Sequence, residues 1–290
     1  MLRAQAPAKV NRELRVGPRR PDGFHEVLSR IVSIDLADSI EIEAAEGLTL
    51  EVTGAAIPAD ATNLVHRAAV LLAERLGVPP RARIRLQKNV PTGAGLGGGS
   101  ADAAVTLQLL AQLWKAGLAE SELSELAARL GSDVPFFLRG GEAQMSGRGE
   151  TVAPSEDNAP RALLLLVPPF PLSTAEVYAS YDREYGPSGV PLPKRLEVET
   201  SGRFFGPNDL ALPVLRKYPE MNAYLRSAEE IAPDHAMSGS GSVVAIAGFG
   251  PGAAQELARR HPEARILSCR TLRQQEYARL VHPSGGSSWT

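Results

Sequence analysis

The sequence predicts an α+β protein of two domains, and three features of its 290 residues lead to that prediction. Residues 39–43 and 48–52 alternate between apolar and polar side chains, which is typical of half-buried strands. Residues 63–76 instead repeat their apolar side chains at helical spacing. The polar, proline-bearing segment 152–160 then interrupts the pattern, and a new apolar strand begins at Leu163. A chain of this length can bury a core in each of two domains.

The first half of the chain reads as strands followed by helices. The helix over 63–76 is amphipathic, and we expect Thr62 to cap its start and Gly77 to end it. The other elements predicted here are a strand and two helices, at residues 83–88, 101–114 and 120–130. We assign residues 1–156 to this first domain.

The second half has its own strand and helix patterns, and we assign residues 157–282 to a second α+β domain. Its predicted strands are residues 162–167, 242–247 and 265–269. Its predicted helices are residues 209–218, 221–230 and 252–260. Residues 283–290 are rich in serine and glycine, so we predict a flexible tail there.

Composition argues against several classes of partner. The formal net charge is −2 and the arginines are scattered, so neither nucleic acid nor an anionic membrane is expected to bind. The longest apolar run, 162–167, is far shorter than the roughly 20 residues that span a bilayer. Cys269 is the single cysteine, which fits a reducing compartment, and the histidines lack the spacing of a zinc site. We therefore expect a cytoplasmic protein that acts on small molecules.

A glycine-rich segment, residues 93–100, is the strongest chemical signal. It places five glycines in eight positions and leads into the apolar helix predicted from Ala101. Glycine lets the backbone turn its N–H groups towards an anion, and the first turn of a helix adds unpaired N–H groups and a positive dipole end. This segment, the glycine loop, is therefore predicted to hold a polyphosphate.

Other functions of the glycine loop are less consistent with its surroundings. A flexible linker would not usually carry an apolar Leu96 or feed directly into an apolar helix. Gly93, Gly95 and Gly98 match the G-x-G-x-x-G dinucleotide pattern, but Pro91 and its neighbours separate them from the preceding strand. A Walker A loop would need a Gly-Lys-Ser/Thr sequence, which does not follow here.

Three segments together resemble the GHMP kinase superfamily. They are residues 91–104, which contain the glycine loop, residues 6–11 and residues 237–242, and they occur in the order that the family shows. The resemblance implies an ATP-dependent kinase of two domains. The first would be similar to domain 2 of ribosomal protein S5 and the second would be ferredoxin-like.

Further segments resemble one branch of that superfamily, whose acceptor is a cytidine-diphosphate-linked methylerythritol of the non-mevalonate isoprenoid pathway. These segments are residues 20–26, 131–137, 170–178 and 208–210. The resemblance implies transfer of the γ-phosphoryl group of ATP to the 2-hydroxyl of the methylerythritol moiety.

The resemblance also implies the catalytic residues. Asp133 would accept the proton of the acceptor hydroxyl, and Lys9 would be its cationic neighbour. Mg²⁺ is expected to accompany ATP, and Ser100 carries the loop hydroxyl best placed to approach it. Taken alone, Asp133 could equally cap a helix after Gly131, and Lys9 alone would be an ordinary surface lysine.

The binding residues follow in the same way. Those implied for ATP are Asn63, Pro91, Thr92, Gly93, Ala94, Gly95, Leu96, Gly97, Gly98, Gly99, Ser100 and Ala101. Those implied for the acceptor are Asn11, Phe24, His25 and Tyr178, with His25 reading the cytosine edge and an aromatic ring covering the base.

The chain departs from the family pattern at three positions. Phe24 stands where tyrosine is common, Arg12 replaces an apolar residue, and Ala101 replaces a second serine. None of these removes a group that phosphoryl transfer requires. A different GHMP-type kinase for homoserine or a sugar, a non-catalytic binding protein of the same fold, and an NAD-dependent oxidoreductase remain as alternatives.

Overall fold

The computed structural model describes residues 1–156, 158–186, 188–193, 195–196 and 202–282. The tail predicted for residues 283–290 lies outside this range. Two β-sheets, each packed against helices, make up the described chain, which confirms the α+β class.

The first sheet is built around a long antiparallel hairpin. Its strands are β1 (Leu2–Arg19), β2 (His25–Glu43), β3 (Leu48–Thr53), β4 (Ala82–Gln87), β5 (Glu142–Ser146) and β6 (Thr151–Pro154). The strand order is β3-β4-β2-β5-β6, and β1 pairs with β2 along nearly its whole length. The turn of the hairpin uses Gly23 at φ 87°, a conformation that glycine adopts without strain. This hairpin carries Lys9 and Asn11 on one strand and His25 and Ser29 on the other.

The second sheet forms from the later part of the chain. Its strands are β7 (Ala162–Val167), β8 (His235–Met237), β9 (Val244–Ala247) and β10 (Arg265–Arg270). They are all antiparallel, in the order β10-β7-β9-β8. Numbered within this sheet, that order is 4-1-3-2, with helices after the first and third strands, which is the ferredoxin-like arrangement expected from the sequence.

Helices cover both sheets. They are α1 (Leu64–Leu76), α2 (Gly98–Leu113), α3 (Glu120–Leu130), α4 (Thr174–Tyr185), α5 (Ala211–Lys217), α6 (Met221–Ile231), α7 (Ala253–Arg260) and α8 (Gln274–Val281). Helix α2 is buried along most of its length, between α1, α3 and the hairpin. Among the described residues, no helix combines the length and apolar character that a bilayer span requires.

The two sheets share a core at the hairpin. Ala8 and Val10 of β1 pack in one cluster with Leu163 and Leu165 of β7. Helix α8 lies on the first sheet, where the Tyr277 hydroxyl donates to the Phe137 carbonyl at 2.5 Å. The division of the chain near residue 156 stays a prediction.

Arg12 has a structural role that explains the departure from an apolar residue. Its guanidinium forms a buried ion pair with Glu142, and its Nε donates to the Phe204 carbonyl at 3.0 Å. The guanidinium carbon also lies 4.2 Å from the centre of the Phe204 ring. The second carboxylate oxygen of Glu142 accepts from Asn158 at 2.8 Å. Arg12 therefore neutralises a buried carboxylate and joins the first sheet to the segment containing Phe204.

The start of α1 differs from the sequence prediction by one residue. Asn63, not Thr62, is the N-cap, because its Oδ1 accepts from the Val65 N–H at 2.9 Å. The Thr62 hydroxyl is turned away and donates to Asp60 at 2.6 Å. Gly77 ends the helix in the left-handed conformation, at φ 65°, as predicted.

Asn63→Ala is expected to lower the free energy of unfolding by about 1 kcal/mol, the usual value of an N-cap side chain. Urea denaturation measures this loss. Asn63→Asp keeps a capping oxygen and should retain most of the stability, and Thr62→Ala should change it by less than about 0.5 kcal/mol. A greater loss with Thr62→Ala than with Asn63→Ala would contradict this assignment of the cap.

Candidate active site

One cavity of about 1100 Å³ brings together the residues that the sequence singled out. The glycine loop, β1, the turn at Asp133 and α4 all contribute residues to its wall. Every predicted site residue lines it except Ala101, which is fully buried in α2 and donates its N–H to the Gly97 carbonyl at 2.9 Å.

The glycines of the loop are needed where the backbone turns against its neighbours. Gly95 has φ 77°, and a β-carbon there would lie 2.1 Å from the Ser238 carbonyl oxygen. Gly97 has φ 69°, and a β-carbon there would lie 2.8 Å from the Phe137 ring. No L-residue with a side chain fits either position without displacing the chain. The loop is therefore held in a fixed shape by groups packed behind it.

Helix α2 begins three residues earlier than predicted, at Gly98, so the last glycines of the loop form its first turn. Gly97 is the N-cap and offers no side-chain oxygen to the first N–H groups. Those N–H groups, of Gly98, Gly99 and Ser100, belong to residues that line the cavity. The first turn contains no acidic residue of its own, and the positive end of the helix dipole lies at the cavity. This arrangement suits a phosphate group.

The C-terminal glycine motif supports the loop from the second sheet. The Ser238 hydroxyl donates to the Gly95 carbonyl at 3.0 Å, and the Val243 N–H donates to the Ala94 carbonyl at 3.2 Å. Because these bonds engage carbonyl groups, they leave the loop N–H groups free to face a ligand.

Lys9 is a buried cation beside the glycine loop, with a side chain 5% exposed. Its Nζ donates to Asn11 Oδ1 at 2.6 Å and to the Gly95 carbonyl at 2.9 Å, and it lies 3.6 Å from Asp133 Oδ2. Burial lowers the pKa of the Lys9 ammonium, and the charge of Asp133 acts against that shift. The interpretation of Lys9 as an ordinary surface lysine is therefore wrong.

Asp133 lies in the turn after α3, and its side chain is 38% exposed and open to the cavity. The N-cap of the following short 3-10 helix, Pro135–Leu138, is Val134, so Asp133 does not occupy that capping position. Its carboxylate can therefore meet both a hydroxyl in the cavity and the Lys9 ammonium.

One part of the cavity wall, which contains Phe24, His25 and Tyr178, is aromatic and charged. Phe24 is 48% exposed, and the guanidinium carbon of Arg148 lies 5.1 Å from its ring centre. The His25 ring stacks on Tyr178 with centroids 5.4 Å apart. Burial raises the pKa of Tyr178, so its hydroxyl stays neutral.

Both ring nitrogens of His25 lie near protein acceptors. Nδ1 donates to the Gly17 carbonyl at 2.9 Å, since a carbonyl can only accept. Nε2 lies 3.1 Å from Asp182 Oδ1, but the two atoms are not aligned as a hydrogen bond. Recognition of a base edge by His25 stays a prediction, and Asp182 is a partner that sequence reasoning missed.

Asn63 also lines the cavity, together with its neighbours in sequence Ile57, Pro58 and Leu64. The amide of Asn63 is already engaged, because Nδ2 donates to the Pro58 carbonyl at 2.7 Å and Oδ1 caps α1. The Asn63 side chain therefore shapes this part of the cavity through the backbone that it holds. Its proximity to adenine stays a prediction.

A buried ionic cluster beneath the glycine loop was also missed. Lys88 Nζ donates to Asp38 Oδ2 and, at 2.6 Å, to Asp102 Oδ2. Asp38 Oδ1 accepts from the N–H groups of Asn89 at 2.5 Å and Val90 at 2.8 Å. Burial raises the pKa of Asp102 to about 8, and Lys88 acts against that rise. Lys88, Asp38 and Asp102 fix the backbone that enters the loop.

Comparison with known proteins places this site in a family. Residues 63–141 match the model of the GHMP kinases N terminal domain. A 4-diphosphocytidyl-2-C-methyl-D-erythritol kinase from Pelotomaculum thermopropionicum is 40% identical over 93% of this chain and 98% of its own length. A crystal structure of 4-(cytidine 5'-diphospho)-2C-methyl-D-erythritol kinase superposes with a TM-score of 0.77 and 35% identity, covering 93% of this chain and 99% of that chain.

A more distant structure shows the fold alone. The mevalonate kinase of Methanococcus jannaschii superposes with a TM-score of 0.66 at 14% identity, covering 93% of this chain and 98% of that chain. The two-domain GHMP kinase fold predicted from the sequence is thereby confirmed. With relatives this similar over nearly the whole chain, the protein belongs to the 4-diphosphocytidyl-2-C-methyl-D-erythritol kinase family of GHMP kinases.

Proposed function

We propose that this kinase transfers the γ-phosphoryl group of ATP to the 2-hydroxyl of 4-diphosphocytidyl-2-C-methyl-D-erythritol, in the cytoplasm. The observation that carries the proposal is the Lys9 ammonium, 3.6 Å from Asp133 at the edge of the glycine loop. Phosphoryl transfer to an alcohol requires a cation and a carboxylate that the alcohol can reach, next to N–H groups that can bind phosphate.

In the proposed reaction the acceptor oxygen bonds to the γ-phosphorus as the bond from that phosphorus to the β-phosphate oxygen breaks. ADP leaves with the electron pair, and the hydroxyl proton passes to Asp133. A carboxylate is far too weak a base to ionise an alcohol beforehand, so the proton moves late, when the bond to phosphorus is forming. Lys9 stabilises the charge that develops on the oxygens.

ATP fits the cavity through its phosphates. The loop N–H groups and the start of α2 would hold them, and Asn63 would lie near the adenine. Mg²⁺ bound to ATP would neutralise the phosphate charge. The residues fit such a metal, because Mg²⁺ commonly keeps phosphate oxygens, waters and one or two protein oxygens, and the Ser100 hydroxyl lines the cavity. In the described residues no cluster of three His, Cys, Asp or Glu side chains could hold a metal alone.

The acceptor would bind at the aromatic part of the cavity wall. Phe24 and Tyr178 would cover the cytosine ring, with His25 beside its edge, and Asn11 would lie near the tetrol. Phenylalanine at position 24 loses a hydroxyl but keeps the stacking face, so affinity for the base would be retained.

A coupled assay of ATP consumption tests the proposal against homoserine, galactose and mevalonate as rival acceptors. We expect turnover with the cytidyl substrate to exceed that with each rival, and ³¹P NMR of the product to show a new phosphate monoester. Comparable efficiency with a rival would assign the protein to another GHMP kinase activity. No turnover with any of the four would favour a binding protein.

A further inference from the structure

The three protons of the Lys9 ammonium need three acceptors. Two of them, the Gly95 carbonyl and the Asp133 carboxylate, can only accept. The third neighbour, Asn11, has an amide that can present either an accepting oxygen or a donating nitrogen. With its oxygen towards Lys9, Asn11 completes the site. With its nitrogen there, two donors would face each other.

Ser29 favours the amide orientation that Lys9 requires, and the Ser238 hydroxyl lies 3.4 Å from the same amide oxygen. The Ser29 hydroxyl donates its one proton to the Glu13 carbonyl at 2.7 Å, so it can offer only lone pairs to Asn11. Asn11 Nδ2 donates to Ser29 Oγ at 2.8 Å, which places Oδ1 2.6 Å from Lys9 Nζ. Directional bonds thus run from Lys9 through Asn11 and Ser29 to the backbone of β1.

This chain of bonds lies in the wall of the cavity, which Lys9, Asn11 and Ser29 all line. Ser29 is 3% exposed and Asn11 is 8% exposed, so both side chains are mostly enclosed by protein. Ser29 belongs to β2 and pairs in register with Leu14 of β1, so the sheet fixes its position relative to Asn11. Ser29 stands apart from Lys9 and acts on it through Asn11.

We propose that Ser29 is a positioning residue that locks the Asn11 amide with its oxygen towards Lys9 and so directs the ammonium at Asp133. The proposal rests on the role given above to Lys9. Without the Ser29 hydroxyl, Asn11 Nδ2 loses its acceptor, so the amide is held less firmly and its hydrogen bond to the buried ammonium weakens. Hydrogen bonds to charged groups are strong enough that kcat should fall by about tenfold to a hundredfold.

The pH dependence of kcat provides a readout that a purely structural role would leave unchanged. Cationic Lys9 is the active form, so kcat falls as pH rises through the pKa of Lys9, which burial lowers. Among the described residues, Asp133 is the charged group that acts on the pKa of Lys9, and the other groups that accept from its ammonium, Asn11 Oδ1 and the Gly95 carbonyl, are neutral. A weaker bond to the acceptor oxygen destabilises the charged form. In Ser29→Ala the decrease of kcat at alkaline pH should therefore begin at a lower pH than in the wild type.

The experiment compares Ser29→Ala with Ser33→Ala in the full-length enzyme. Ser33 is a fully buried serine of the same strand, and its hydroxyl has no partner among the described residues. Ser29→Ala should lower kcat and make its decrease at alkaline pH begin at a lower pH, with little change in the KM for ATP. Ser33→Ala should do neither. If Ser29→Ala does not fold, Ser29→Cys keeps the volume with a weaker hydrogen bond and should show the same changes.

Asn11→Asp allows a double-mutant cycle with Ser29→Ala, because a carboxylate presents an oxygen to Lys9 in either orientation. Adding Ser29→Ala to Asn11→Asp should therefore lower kcat far less than adding it to the wild type. An equal decrease in kcat in both backgrounds would overturn the inference about Ser29. So would an unchanged pH at which Ser29→Ala loses kcat on the alkaline side. Full activity of Lys9→Met would instead overturn the proposed mechanism, so the two failures are distinguishable.

Discussion

Asp133→Asn is expected to reduce kcat by about 10²- to 10⁴-fold, the contribution of a positioned acid–base group. Asparagine fills the same space and cannot accept the proton of the acceptor hydroxyl. It also removes the charge that supports Lys9, whose pKa burial already lowers. The KM for ATP should change little, because the groups proposed to hold the phosphates are the N–H groups of the glycine loop and of the start of α2.

Asp182→Asn is the matched comparison for this prediction. Asp182 is a second carboxylate that lines the cavity, but it lies 3.1 Å from His25 at the aromatic part of the wall. Its replacement should act mainly on the KM for the acceptor. The residual activity of Asp133→Asn should also decline at lower pH than the wild type, since Asp133 no longer raises the pKa of Lys9. A mild loss of kcat with an unshifted pH profile would contradict the acid–base role and would indicate that Asp133 is structural.

The parts of the site that lie in contiguous motifs were accessible from the sequence. The glycine loop can be recognised from its composition, because few loops need five glycines in eight positions. Lys9 and Asp133 were accessible only through family resemblance, since neither residue type is unusual on its own. The structure brings the two side chains within 3.6 Å of each other, and their catalytic roles stay a prediction.

The start of α2 and most of β1 show where local patterns mislead. Glycine is unfavourable inside helices, so the helix was predicted to begin at Ala101, yet Gly98 and Gly99 are tolerated in a first turn whose N–H groups face a ligand site. The middle of β1 is buried on both faces, so it lacks the alternation that revealed residues 39–43. In both places tertiary surroundings outweigh the local signal.

The side-chain networks could not be predicted from the sequence, for a different reason. Asp38, Lys88 and Asp102 are ordinary charged residues in sequence, separated by 50 and 14 positions. Ser29 and Asn11 are likewise ordinary, and only the pairing of β1 with β2 brings them together. A sequence pattern records what an element needs locally, whereas these contacts depend on how the strands are paired.

Lys88→Met is expected to lower the free energy of unfolding by about 3–5 kcal/mol, since removing one partner of a buried ion pair leaves uncompensated charge. Asp38 and Asp102 are both buried and would face each other without the ammonium between them. Although burial alone would lower the pKa of Lys88, the two carboxylates raise it, so the wild-type lysine is cationic. Urea denaturation measures the loss. Lys217→Met, at an exposed lysine, should change stability by less than about 0.5 kcal/mol.

The same substitution should weaken ATP binding, because the cluster holds the entry to the glycine loop. Asp38 fixes the N–H groups of Asn89 and Val90, and a β-carbon on Gly98 would lie 2.9 Å from the Val90 side chain. Adding Asp102→Asn to Lys88→Met removes a buried carboxyl group that must otherwise stay charged without a partner or take up a proton on folding, while Asp38 keeps its backbone donors. The double variant should therefore be more stable than Lys88→Met and bind ATP more tightly. A double variant weaker than Lys88→Met in both respects would show that Asp102 contributes through contacts other than its charge.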